Sequence, residues 1–549
     1  MKLLVALAAV TTGIAAAVPP PAAFRFPASG ARAERHALLL AIDDLSLPYK
    51  KNLCYYLARP QVRSEPVLTP SRDNPQAPDY LATHFYGTVL HDGGKFRMWY
   101  YGASLGRNPD WPPEYQEQFP AQPRHDQEYG PVCYAESPDG IHWVKPKLGQ
   151  LLWKGSRANN AVVLPNPNTE GAFVVKDETD PNPQRRYKMV YEYCWQGPRA
   201  LPGEDAGHGT VRAAWSPDGL RWTAGPRDAV QSFFEPSAFY NFNGLWIISG
   251  HKARAGIGAG EGGSDRGREG YVHVATDFPH FLPEHVESFA LSEPRDPKAR
   301  GPNGRYDQAH LGVGAAGFGN VAVGLYGRWH NADYNEAFND ISADLGLVVS
   351  NDGIRFREPV KDFLFLTALG APVTPVPGRH HNTVLIQSGN GILNVGAETR
   401  IYFGRWRNAD FRRGENPPTD YYGEVALATL PRDRWGALGL FPAANEGSVI
   451  STSVLLPEQA VLTLNAEEAQ AMRVEVLDDR FRPLARFSGA SAGMIALRHG
   501  LDCPVTWPGV DLYELAGQTV RFRVTLQRRG SDEPRVYALN LATAGGAIR

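Results

Sequence analysis

The sequence predicts an all-β chain, a five-bladed β-propeller followed by a C-terminal β-sandwich, and three observations carry that prediction. The first is composition: 549 residues hold 56 Gly and 45 Pro beside 12 Trp, 23 Tyr and 24 Phe, and 43% are hydrophobic. Such a chain can bury a large core but builds few long helices, because Gly and Pro break them and aromatics favour strands. The second is an internal repeat. Ser137-Pro138-Asp139-Gly140-Ile141-His142-Trp143 returns as Ser216-Pro217-Asp218-Gly219-Leu220-Arg221-Trp222 and as Ser350-Asn351-Asp352-Gly353-Ile354-Arg355-Phe356. Degenerate copies at Thr276-Asp277-Phe278 and from Thr429 to Trp435 bring the total to five. The third is that every copy has the same surroundings, with two candidate strands upstream and one on either side of the turn.

Each unit therefore reads strand A, turn, strand B, long loop, strand C, small-Asp-Gly turn, strand D. The A strands fall near 83–90, 172–176, 237–240, 310–315 and 382–386, and the aromatic B strands near 96–100, 187–191, 245–248, 321–326 and 399–403. In the turn, Asp can bond its own backbone and Gly can take positive φ, which is hairpin chemistry. Four antiparallel strands repeated radially make a propeller, here over residues 36–440. His36 to Asp44 is expected to add an edge strand to the last blade. Beyond 447, alternating runs such as Val520-Arg521-Phe522-Arg523-Val524 predict the half-buried strands of a sandwich over 447–549.

The start of the chain reads as targeting. Lys2 precedes an apolar run that ends at Pro19-Pro20-Pro21, with Ala15-Ala16-Ala17 as a cleavage pattern. Residues 1–17 are expected to be a signal peptide and 18–35 a linker, which makes the protein secreted or periplasmic, without a membrane anchor. The cysteines, Cys54, Cys133, Cys194 and Cys503, form no CxxC pair and no disulfide framework, and read as free thiols. A net charge of −2 excludes bulk electrostatic recruitment of nucleic acid or an anionic membrane.

Strand polarity sorts the candidate residues. The Asp-Gly turns lie on one face, so the repeated Asp139, Asp218 and Asp352 read as structural. The starts of the A strands and the B–C loops lie on the other, around the central axis. Acids there are Asp79, Glu170, Glu235 and Asp307, the candidate catalytic residues, and Glu235 follows Phe233-Phe234 in an apolar setting that favours a protonated acid. The loops duplicate Gly327-Arg328-Trp329-His330-Asn331-Ala332-Asp333 as Gly404-Arg405-Trp406-Arg407-Asn408-Ala409-Asp410. Indole faces stack on sugar rings and Arg donates to hydroxyls or carboxylates. Candidate substrate-binding residues are accordingly His84, Trp111, Trp195, His310, Arg328, Trp329, His381, Arg405 and Trp406; Trp329 and Trp406 could equally brace neighbouring blades.

The five units, the Ser-x-Asp-Gly-x-x-Trp turns, the run from Tyr134 to Gly149 and the trailing sandwich resemble the five-bladed propeller glycoside hydrolases of families 32 and 43. That resemblance implies a carbohydrate substrate cleaved by paired carboxylic acids. It implies Glu235 as general acid, Glu170 as an intermediate acid, and Asp79 or nearby His84 as base or nucleophile. No cofactor is required; Ca²⁺ in the central channel is conceivable, but no ligand cluster in the sequence identifies it. Three alternatives stand beside it. One is a non-catalytic sugar-binding propeller; another is a lyase with His84, His310 or His381 as base. The third is a phosphorylase with a phosphate subsite at Arg328 and Arg405.

Overall fold

The computed structural model describes residues 22–106, 108–110, 127–164, 169–193, 210–225, 229–230, 234–252, 269–291, 308–330, 341–407 and 418–543. The expected signal segment, Cys194, Trp111, Trp195 and Asp307 lie outside them. Among the described residues the chain is all-β, with short 3-10 turns and no α-helix. No helix there is long and apolar enough to cross a membrane.

Five antiparallel units follow one another. Unit 1 is Ala82–Asp92, Lys95–Leu105 and Gln127–Ser137, edged by a bridge from Glu136 to Val144. Unit 2 is Thr169–Lys176, Tyr187–Tyr193, Thr210–Ser216 and Thr223–Ala224. Unit 3 is Glu235–Phe242, Leu245–Lys252, Glu269–Ala275 and Val286–Phe289. Unit 4 is Gln308–Phe318, Val321–His330, Ser342–Ser350 and Leu364–Leu366. Unit 5 takes Val384–Ile386 and Ile392–Val395 as its split first strand, then Glu398–Arg407 and Tyr422–Pro431. Its outer edge is Gln61–Val62, contributed from far upstream. Single parallel bridges, Ala343 to Val384 and Gly423 to Ala82, join unit 4 to unit 5 and unit 5 to unit 1.

The repeated turn explains why its sequence recurs. In all three full copies the Ser hydroxyl bonds the Asp carboxylate at 2.9–3.0 Å. The same carboxylate oxygen accepts the backbone N–H groups two and three residues on, at 2.8–2.9 Å. The glycine sits at φ +74° to +77°. Each turn also docks a neighbouring unit. Trp99 Nε1 and Arg97 Nη2 of unit 1 donate to Gly219 O and Asp218 O of unit 2. Tyr402 and Arg400 of unit 5 do the same to Gly140 O and Asp139 O of unit 1, and Tyr240 of unit 3 to Gly353 O of unit 4. The aromatic strands thus pair a buried ring with a directed bond, which a core of aliphatic residues could not do.

At the centre the first strands are interrupted at one level. Unit 1 breaks register between His84 and Thr88, and unit 2 between Glu170 and Ala172. In unit 3 the break lies between Pro236 and Ala238, and in unit 4 between His310 and Val313. Unit 5 inserts the short turn Gly389–Gly391 there. Side chains of that insert bond all four other units. Gln387 donates to His310 O at 2.8 Å, and Ser388 to Gly87 O at 2.5 Å. Asn390 donates to Val174 O at 3.1 Å and Phe239 O at 2.9 Å, and accepts Phe239 N–H at 2.8 Å. Glycine is required at 389, where a Cβ would meet Ala315 O at 2.2 Å.

The remaining strands form two further sheets, of eight and six strands, whose inner faces share one apolar cluster. Thr519–Gln527 shows the expected alternation, with Val520, Phe522, Val524 and Leu526 turned inward. The pairings depart from the expected division at the start of the chain. Phe24–Arg25, within the expected linker 18–35, pairs with Arg32–Ala33 and with Leu455, and Tyr49–Lys51 pairs with Glu446–Ile450. His36–Leu40 does not edge the last unit but pairs with Arg535–Thr543, and Leu53–Leu57 pairs with Gly436–Leu440. The apolar run Ala37-Leu38-Leu39-Leu40 is buried on both sides, its alternate residues shared between two clusters. Both faces of the strand are covered although, among the described residues, it pairs along one side only. Cys54, Cys133 and Cys503 are free thiols.

The turn after Tyr422–Pro431 ties unit 5 to these sheets. Arg432 ion-pairs with Asp502, and Arg434 reaches Asn465 at 2.9 Å and Glu467 at 2.6 Å. Between these two arginines lies Asp433, buried, with Asn394 donating to it at 2.8 Å. Burial pushes its carboxyl up from 3.8 to about 6. Between those pH values the folded chain keeps a proton that the unfolded chain has lost, so stability falls as pH rises through the window. Asp433→Asn is expected to be more stable than the parent above pH 6, by on the order of 2 kcal/mol, and equal to it near pH 3.5. Denaturant titrations at the two pH values measure this. Asn390→Ala leaves three buried backbone groups without their partner and should cost about 2–4 kcal/mol, read as a lowered denaturation midpoint.

Candidate functional site

Near the strand interruptions, units 2, 3 and 4 bring acids and histidines together, while His84 of unit 1 packs with Trp406 and Tyr421 of unit 5. A bulge turns the strand and re-aims the side chains beside it; His84, Glu170 and His310 directly precede one, and Glu235 lies one residue further back. Two further residues enter from the second strands. Glu192 lies opposite Glu170, and His251 opposite Glu235. One carboxylate oxygen from each of Glu170, Glu192 and Glu235 lies within 4.8 Å of the others. Glu192 is 3% exposed, while Glu170 and Glu235 are half-buried and face outward enough to meet a ligand. Three carboxylates this close repel one another unless a proton or a cation is held among them.

Histidines and aromatics flank the acids. His251, fully buried, places Nε2 2.8 Å from Glu235 Oε2. Its ring lies 5.6 Å from that of His310, which stacks on Trp329 at 3.6 Å and 14°. On the unit 1 and unit 5 side, His84 stacks on Tyr101 at 4.5 Å and is held at both nitrogens, by Trp406 and by Tyr421. The indole N–H can only donate, so Nδ1 of His84 accepts and Nε2 carries the proton toward Tyr421. Burial holds His84 well below the usual histidine range, in keeping with that neutral tautomer. With both nitrogens engaged, His84 orients its neighbours and is poorly placed as a base.

The structure separates the other sequence candidates. Asp79 is not among the clustered acids. It is 1% exposed, with Oδ2 2.5 Å from Lys145 Nζ and 2.8 Å from the Tyr100 hydroxyl, and Tyr100 in turn receives Asn160. That ion pair joins the inner and outer parts of unit 1. Arg328 bonds Asp362 at 2.9 Å, and Arg405 bonds buried Glu424 at 2.8 Å, so both arginines already hold carboxylates. Trp329 is buried with one face taken by His310, and Trp406 packs edge-on to His84. Both therefore act as braces. His381 lines a separate cavity near Asp420.

Glu192 and His251 were not picked out from the sequence. Both stand at the end of a second strand, next to the loop, one residue or more past the run of apolar residues that marks the strand. The signal available is Tyr191-Glu192-Tyr193, an acid between aromatics directly opposite Glu170 in register. As donors the three glutamates are hard oxygens of the kind Ca²⁺ takes, but three oxygens are at most half of its usual six to eight. Their more economical use is in proton transfer, where neighbouring carboxyl groups divide into an acid and a carboxylate.

No protein-family model matches the chain, and no curated protein matches it in sequence. Solved structures similar to it belong to carbohydrate-processing families. One, reported from the family 130 mannoside phosphorylases, which contain glycoside hydrolases targeting β-1,2-mannosidic linkages in Candida mannan, shows 14% identity. It covers 69% of this chain and 94% of its own, with a TM-score of 0.42. A family 43 arabinoxylan arabinofuranohydrolase from Bacillus subtilis shows 9% identity over 87% of this chain and 99% of its own, at 0.36. A family 32 β-fructofuranosidase from Bombyx mori shows 11% identity over 85% and 94%, at 0.35.

The placement of Asp79 has a direct test. Asp79→Ala strands a lysine and a tyrosine in unit 1 and should cost about 3 kcal/mol of stability. Any turnover by the fraction that remains folded should be unchanged. A loss of turnover at full folding, followed by circular dichroism alongside the assay, would return Asp79 to the site.

Proposed function

We propose that this chain is an exported glycoside hydrolase, built as a five-bladed propeller over roughly the five units with a C-terminal sandwich, and acting at the Glu170–Glu192–Glu235 mouth. The single observation that carries the reading is the convergence of three carboxyl groups, from two units, two on first strands and one on a second strand. Cleavage of a glycosidic bond needs one carboxyl group that gives a proton to the leaving oxygen and one carboxylate that attacks the sugar or activates water. Glu235, on the rim beside His251, takes the role of general acid. Glu170, also half-buried, is the carboxylate that faces the anomeric carbon. Glu192, buried in the same cluster, acts as a positioning residue, since its charge opposes ionisation of both neighbours and so keeps one proton in the cluster.

The test is a glycan panel followed by reducing ends and by unsaturated products, with Glu235→Gln and Glu170→Gln assayed beside the parent. Each substitution should lower kcat by about 10²–10⁴-fold while leaving thermal unfolding near the parent value. Azide should restore turnover to the Glu170 variant if that residue attacks the sugar. Unsaturated products would assign a lyase instead, and full activity of Glu235→Gln would remove the acid assignment.

A further inference from the structure

We propose that a second site, on unit 5, binds the carboxylate of an acidic sugar residue. The inference rests on the glycan reading above for the identity of the ligand, but not on the catalytic roles of the glutamates. The site is a cavity of about 460 Å³ between the segment 372–383, which leads from unit 4 into unit 5, and the second strand of unit 5. Arg405, Arg407, Arg379, His381 and Thr374 line it, with Glu65 exposed at its edge.

The duplicated Gly-Arg-Trp motif shows what is unusual about it. In unit 4, Arg328 bonds Asp362, and His330 Nε2 lies 2.8 Å from Asp344. Each basic residue has its own acid. In unit 5, Glu424 stands opposite Arg405 just as Asp344 stands opposite Arg328. Arg405 takes that carboxylate at 2.8 Å, and Thr374 fills its remaining positions with bonds at 2.7 and 3.1 Å. Arg379 ion-pairs with Asp420. Arg407, where unit 4 has His330, is left without a carboxylate partner among the described residues.

Arg407 is 7% exposed and lies 4.1 Å over the Tyr422 ring. Its Nη1 donates to Thr374 O, and its Nε has no hydrogen-bond partner. The edge left over, Nε with Nη2, is the side-on fork that meets a planar carboxylate with two parallel bonds. Arg405 Nε, in the same cavity, also lacks a hydrogen-bond partner, while His381 Nε2 lies 3.4 Å from Asp420. A buried guanidinium that has lost its water is costly unless an anion joins it. Arg405 and Arg379 are already neutralised, so the cavity calls for one negative charge, not the two or more of a phosphate. It is also larger than a free carboxylate needs, with room for the sugar ring that carries one.

The probes are trigalacturonic acid and a glucuronic-acid-substituted xylo-oligosaccharide, each against its carboxyl-reduced counterpart, with inorganic phosphate as a separate arm. Binding is read by calorimetry on the full chain in the Glu235→Gln background, so that turnover does not consume the ligand. At least one acidic probe should bind about tenfold or more tightly than its reduced form, the worth of one charged hydrogen-bond pair. Arg407→Gln should abolish that preference, and Arg407→Lys should recover part of it. Glu65→Gln, an exposed substitution with little bearing on folding, should strengthen acidic binding and leave the reduced probes unchanged. Equal binding of acidic and reduced probes overturns the proposal. So does phosphate binding as tight as the uronate, or a Glu65→Gln variant that behaves as the parent when Arg407→Gln does not fold. Loss of the catalytic assignment, by contrast, would show as undiminished turnover in Glu235→Gln with the uronate preference intact.

Discussion

The hydrogen bonds that Gln387, Ser388 and Asn390 send into the other four units set the geometry of the whole molecule. The first strands of the other four units all meet these side chains, each with main-chain groups that face no partner strand there. Buried peptide groups left without partners would cost more than the sheets gain. One short turn in unit 5 answers them with side-chain amides and a hydroxyl, at a spot so crowded that residue 389 has to be glycine. Thr88 and Ser237 complete the belt, bonding Ala172 O and Val313 O. Because this belt interrupts all five strands at one height, it also decides which residues stand just above it.

The candidate mouth follows from that height. His84, Glu170 and His310 each occupy the last position before an interruption and Glu235 the one before that, and the second strand supplies a partner directly across, Glu192 or His251. The charges are therefore fixed by register and not by loops. Rigid elements hold reacting groups to tolerances that loops do not. The aromatic bracing by Trp329 and Trp406 serves the same end, holding His310 and His84 in single orientations. On this view the duplicated Gly-Arg-Trp motif is a scaffold, and the one place where its two copies differ, His330 against Arg407, is where chemistry is available.

The units were legible in the sequence because each has to solve the same local problem. The Ser-x-Asp-Gly turn satisfies four of its own polar groups and presents two carbonyls to a neighbour, so it recurs nearly unchanged. Glu170 and Glu235 could be read for the same reason, from their place at equivalent strand starts. Glu192 and His251 could not, since their roles depend on which residue lies across the ladder, and register carries no local mark once a bulge has shifted it. Asp79 misled because a strand-start acid and the acid of a buried ion pair look alike until Lys145, far along the chain, is brought beside it. The N-terminal strands were hidden by distance: nothing near His36 announces a partner at Arg535.

That pairing bears on how the protein is made. Arg535–Thr543 lies between His36–Leu40 and Ala460–Glu467 in its sheet, so an early segment waits for the last described strand before it has a place to go. Leu38 is also clasped by Asn320 of unit 4, through both its N–H and its carbonyl. The second sheet pair is therefore not a module appended to a finished body. It behaves as a clasp fastened only when both ends of the described chain have arrived, and a ribosome still holding the final strand would hold the first one open with it.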